Sequence, residues 1–172
     1  MEKLKYLIGI FFLLLVNVTA RAEEIYAVSE NIRDLDNIEN RIFRDIDLMI
    51  FLPSENEWKA LQGIEYLYCS VVADILDDRD NAKIFYKDGM DFLDFHAKEF
   101  VSDKSSIKRS MILERVDHIA SKYYFFDQKE TFKGALFATL FNNIEDTYVS
   151  VGPTRHLVAL KFRSSYERHC KK

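Results

Sequence analysis

Apolar side chains recur at three- and four-residue spacing along almost the whole chain after its first segment, and that period predicts helices. From Glu24 to Phe51 the stripe is Ile25, Val28, Ile32, Leu35, Ile42, Ile46 and Met49, interrupted by Glu39. A seam this narrow suits packing against one or two helices, and Pro53 ends it. Ser54-Glu55-Asn56-Glu57 is a capping-box pattern that opens a second helix. Its wide apolar face (Trp58, Leu61, Ile64, Leu67, Tyr68, Val71, Val72, Ile75) marks it as central. The acidic run Asp77-Asp78-Arg79-Asp80-Asn81 reads as the connection to a third helix, from about Asn81 to Val101. Phe85, Tyr86, Gly89, Met90, Leu93, Ala97 and Phe100 line one arc of that helix, and Lys83, Lys87, Asp91, Asp94 and Lys98 the other.

A fourth helix is expected from about Ser106 to Phe126, with Ile112, Val116, Ile119, Tyr123 and Phe126 as its seam. Asp127-Gln128-Lys129-Glu130 repeats the capping-box pattern and opens a fifth, carrying Phe132, Leu136, Phe137, Leu140, Phe141 and Ile144. Gly152-Pro153 breaks the chain again, and Pro153 suits the first turn of a last helix ending near Arg168. Val158, Phe162 and Tyr166 would be its buried side. Strand-type alternation between turn clusters is not visible. The pattern therefore predicts an all-α domain: a compact bundle of about six helices, mostly antiparallel because the connections are short. A more open arrangement of helical-hairpin repeats fits the same pattern.

From Trp58 to Phe100 the chain resembles a helical hairpin of the tetratricopeptide type. Trp58 and Leu61 match the first helix of that pattern, Gly63 falls one place late, and Tyr66 follows; Ala82, Tyr86 and the small Gly89 sit on the second. The first helix is about two turns longer than the pattern allows, no Pro closes the unit, and no second copy follows at a fixed period. The stretch from Tyr66 to His96 is also similar in style to hairpins of the periplasmic helical T-component of TRAP-type solute transporters. That resemblance implies a helical scaffold with a transport-accessory or small-ligand role.

Residues 1–22 read as a cleavable signal peptide. Lys3 and Lys5 supply the positive start, Tyr6 to Val18 is an apolar run too short to span a membrane comfortably, and Ala20-Arg21-Ala22 is the cleavage signal. The mature part, 23–172, would be a single helical domain of 150 residues, enough to bury a core without metals. It would lie in the periplasm or outside the cell, with no stable membrane span after cleavage. Export implies an oxidising compartment, in which Cys69 and Cys170 could form a disulfide. A buried Cys69 with an exposed, free Cys170 is equally compatible, because pairing depends on a distance that sequence does not give.

Charge divides the chain. Residues 23–103 carry 20 acidic and 8 basic side chains, and residues 104–172 carry 7 and 13. Two halves of one domain would attract each other. Alternatively, an acidic face docks a partner. The overall balance of −4 carries no nucleic-acid signature.

Candidate chemistry is sparse. Glu114 and His118 share a helix face, but an exposed ion pair explains them and the paired arrangement of a metal site is missing. His96 falls at the edge of the third helix's apolar arc, where it could be a base or a satisfied boundary residue. Asp74, Asp77, Asp78 and Asp80 cluster at the end of the second helix, without the Gly and terminal Glu of a calcium loop. Carboxylates there oppose the helix dipole, which raises the cluster as a binding patch. Tyr123-Tyr124-Phe125-Phe126 cannot all face one core, so Tyr124 and Phe125 are candidate partner contacts. No nucleophile elbow, phosphate loop, cofactor motif or metal motif is present.

These features predict a non-enzymatic, exported protein-binding module, of the inhibitor or immunity type that neutralises another exported or envelope protein. Asp77, Asp78, Asp80, Tyr124 and Phe125 are its candidate contacts. The alternative is a periplasmic small-ligand-binding or transport-accessory protein, which requires an apolar pocket between helices. An enzyme built on His96 would need a cleft that exposes it.

Overall fold

The chain reverses direction between two long helices within three residues, Leu76 to Asp78. The computed structural model describes residues 30, 32–43, 55–102, 128–149 and 155–171. The signal segment, the expected fourth helix, and with it Glu114, His118, Tyr124 and Phe125, lie outside the described residues. Within them the structure is all-α, with five helical segments: α1 over 32–42, α2 Glu55–Ile75, α3 Arg79–Ser102, α4 Lys129–Val149 and α5 Arg155–His169. None of these is long and apolar enough to cross a membrane.

α2 is the centre: it packs against α3, α4 and α5. Its face of Leu61, Ile64, Leu67, Tyr68, Val71 and Val72 is almost fully buried. The other helices present the stripes their periodicity predicts. Leu35, Ile38 and Ile42 come from α1, Phe132, Leu136, Leu140 and Ile144 from α4, and Val158, Phe162 and Tyr166 from α5. Burying each such large side chain contributes about 1.5–3 kcal/mol relative to exposure. Trp58 departs from the predicted face and is 42 % exposed. It lies in the first turn of α2, at the end of the helix remote from the connection to α3.

α2 and α3 form a closely packed antiparallel hairpin. Near the turn, Ser70 Oγ donates to the carbonyl of Ala82 at 2.8 Å. About two helical turns further from it on each side, Gly63 faces Gly89 with no room for a β-carbon between them.

Glu39, the break in the first apolar stripe, points into the core and is 4 % exposed. The hydroxyl of Tyr68 donates to its Oε1 at 2.9 Å. With that hydrogen used, the same oxygen accepts from Ser165 Oγ at 2.7 Å. Lys161 of α5 completes the arrangement, pairing with Asp36 and reaching Glu39 Oε2 at 3.7 Å. Burial, followed by the Glu39 carboxylate, holds the Tyr68 phenol well above its usual range, so it stays protonated as a donor. One tyrosine thus ties α1, α2 and α5 together.

A disulfide joins Cys69 in α2 to Cys170 just beyond α5, with α-carbons 5.6 Å apart. It fixes the chain end against the middle of the domain. The stacking of Phe43 on His169, 4.0 Å between ring centroids, lies beside it.

Candidate functional site

The acidic connection is built from a helix stop and a helix start with nothing between. Asp77 adopts a left-handed backbone, φ 62°, a conformation that Asp tolerates better than most residues. Its N–H bonds to the carbonyl of Asp74 at 3.0 Å, and the N–H of Asp78 reaches back to Ala73 at 2.8 Å. This is the Schellman pattern that satisfies the last carbonyls of a helix. Asp78 then caps α3. Its Oδ2 accepts from Asn81 Nδ2 at 2.8 Å and from the Tyr166 hydroxyl at 2.9 Å. Hydrogen bonds from Asn81 and then Tyr166 hold its carboxyl below the usual range. Burial, then the bond to Asp78, raises the Tyr166 phenol.

The electrostatic conflict expected of the sequence is therefore resolved by where the helices break. Asp78 and Asp80 do not burden the end of α2; they sit at the start of α3, where the dipole favours them. The third helix opens at Arg79, two residues earlier than its apolar pattern predicts, because Asp78 is the cap. Asp78 is engaged within the fold. Asp77 is exposed, paired with Arg79 Nε at 3.1 Å, and Asp74 and Asp80 are exposed too.

Beside this turn lies a shallow groove of about 280 Å³ between the hairpin and α4. Val71, Tyr86, Phe137 and Phe141 form its apolar part, and Asp74, Arg79 and Lys83 its charged part. Tyr86 meets Phe137 edge to face at 4.9 Å and is still 40 % exposed. The sequence placed Tyr86 on the apolar arc of its helix but gave no sign that it would remain half open.

A second cavity, about 290 Å³, lies against the disulfide, between α2, α3 and the end of α5. Its walls mix aromatic and polar side chains, so it differs from the purely apolar pocket that a hydrophobic ligand requires.

His96 is 5 % exposed and lines neither cavity. It belongs to the interior rather than to a cleft. Among the described residues no group of His, Cys, Asp and Glu could hold a metal ion.

Much of the charge asymmetry is consumed inside the fold. Asp94 of α3 accepts from Lys129 at 2.7 Å and from Lys133 at 2.8 Å, both on α4. Lys133 is 5 % exposed and also pairs with Glu130 at 3.0 Å. Bonds from Lys129 and Lys133 hold the Asp94 carboxyl low. Burial alone would lower the Lys133 ammonium, but its bonds to Asp94 and Glu130 outweigh that and raise it. With the Lys161 pairs to Asp36 and Glu39, the acidic first half is stitched to the basic second half. No protein-family model, no curated protein and no solved structure matches this chain.

Proposed function

We propose that this protein is an exported, non-enzymatic binding module that docks another exported or envelope protein. The observation that carries this reading is the half-open aromatic groove of Tyr86, Phe137 and Phe141 beside the exposed carboxylates Asp74, Asp77 and Asp80. Aromatic anchors inside a charged rim are the usual anatomy of a protein-docking surface. The α2–α3 hairpin, 55–102, carries 11 acidic and 5 basic side chains. The partner fitting it presents an apolar side chain flanked by lysine or arginine. A disulfide linking the chain end to the domain supports an oxidising destination. Burial of His96 removes the side chain on which an enzymatic reading would rest.

The test compares immobilised wild type with Tyr86→Ser and with the double variant Asp77→Asn, Asp80→Asn, against the host's envelope and secreted proteins. The expected result is a partner lost with Tyr86→Ser and weakened by the double variant, with wild-type capture fading as salt rises. Capture that is equal for all three proteins, or insensitive to salt, contradicts the reading.

A further inference from the structure

The cavity against the disulfide has a chemistry of its own, and we propose that it binds a small organic ammonium ion. Gln62, Glu65, Tyr66 and Cys69 follow one another at three-four spacing on α2, so they share one side of that helix. Phe85 of α3 and His169 at the end of α5 close the opposite side. The Cys69–Cys170 bridge holds these walls together, and the stacking of Phe43 on His169 keeps the imidazole in place.

Two aromatic faces and a carboxylate define the ligand. The rings of Tyr66 and Phe85 lie 5.9 Å apart at 43°, forming an open wedge. Tyr66 is held from behind by Phe92, stacked at 5.4 Å and 20°. A cation within about 6 Å of such a ring face is attracted by its quadrupole. Glu65 contributes a formal negative charge, and no lysine or arginine is among the described lining residues. The surrounding acidic hairpin adds a field of the same sign.

Other ligand classes fit less well. An anion would face Glu65. A purely apolar ligand would strip water from Glu65 and Gln62 without replacing it. A bare metal ion would find a single carboxylate rather than a set of ligands. The volume of about 290 Å³ is at the lower edge of ordinary ligand sites, so the occupant is small rather than a lipid chain or peptide.

The experiment is a titration of the oxidised, 15N-labelled protein, followed by amide chemical shifts. The probes are choline and its neutral carbon isostere 3,3-dimethyl-1-butanol. Choline is expected to shift the amides of 62–69 and 169–170 saturably, while the isostere leaves them in place. Glu65→Gln is expected to weaken choline by about tenfold or more, a change of about 1.4 kcal/mol. Tyr66→Leu, its fold checked in the same spectra, is expected to weaken choline as well. Glu57→Gln, on the same helix outside the cavity, is expected to leave binding unchanged. Equal shifts from the isostere, no saturable shift with choline, or full binding by Glu65→Gln would each overturn the proposal.

Discussion

Gly63 and Gly89 face each other across the α2–α3 hairpin so closely that a β-carbon on either would lie 2.9 Å from the other's carbonyl oxygen. At Gly63 it would also approach Leu93 Cγ at 3.1 Å, and at Gly89 it would meet Leu67 Cγ at 2.8 Å. The obstacle is backbone on both sides, so the helices must separate to admit a methyl group. Alanine adds up to about 1 kcal/mol of helix propensity over glycine, but overpacking of this kind costs about 1–3 kcal/mol. Gly63→Ala and Gly89→Ala should therefore lower stability. Gly134→Ala in α4, with nothing within 4 Å of the added carbon, should raise it by a few tenths to about 1 kcal/mol. Thermal unfolding reads the three, at about 2–4 °C per kcal/mol for a domain of this size. The same sign at all three positions would refute the close-contact account.

The tie between α3 and α4 has a defined pH dependence. Asp94 has a depressed carboxyl pKa in the folded state. Its contribution is thus complete above the unfolded carboxyl value of about 4 and is lost as pH falls through the lower folded value. Lys133 is raised, so its contribution is complete below an unfolded value of about 10.4 and disappears as pH climbs through the folded one. Asp94→Asn should cost about 1 kcal/mol at neutral pH, because Asp94 is itself a third exposed. Urea unfolding from pH 7 downward should show the wild-type advantage shrinking below about pH 4. Parallel curves for the two proteins through that range would be the contrary result.

The buried Tyr68 hydroxyl serves Glu39 and Ser165 at once. Tyr68→Phe keeps the ring and leaves a buried carboxylate with one donor fewer, a loss of about 1–3 kcal/mol. Glu39→Gln keeps an acceptor at the same place and should be milder. Chemical denaturation at pH 7 ranks the two. A Tyr68→Phe protein as stable as wild type would show that the network adds nothing.

The disulfide spans 101 residues of sequence. In the chain-entropy account, closing a loop of that length contributes roughly 4–5 kcal/mol by restricting the unfolded chain. Reduction, or Cys170→Ser, should move the denaturation midpoint down accordingly. A midpoint unchanged by reductant would mean that native strain cancels the entropic gain.

Which parts of this structure the sequence reveals follows from the range of the interactions. The helical period is local, and Val158, Phe162 and Tyr166 or Phe132, Leu136 and Leu140 lie where it puts them. Glu39 is visible as a flaw in a stripe, but its partners Tyr68 and Ser165 are brought to it by tertiary packing. Lys133 looks like an ordinary surface residue until Asp94 arrives from another helix. The acidic run announces a turn, yet its sign at the helix ends depends on a break between Asp77 and Asp78. Pairing of the cysteines is likewise a matter of distance. The groove is the least legible feature, since the exposure of Tyr86 depends on how far α4 covers α3.

The central claim, that the Tyr86 groove is where a partner docks, is tested most directly by photo-crosslinking in the native host. The full chain would carry p-benzoylphenylalanine at position 86, or, as a control, at position 160, where Leu160 is 60 % exposed on α5. The account expects a discrete adduct of constant mass from position 86, weakened by Asp77→Asn with Asp80→Asn, and none from position 160. The absence of an adduct at 86, or the same adducts from both positions, would contradict it.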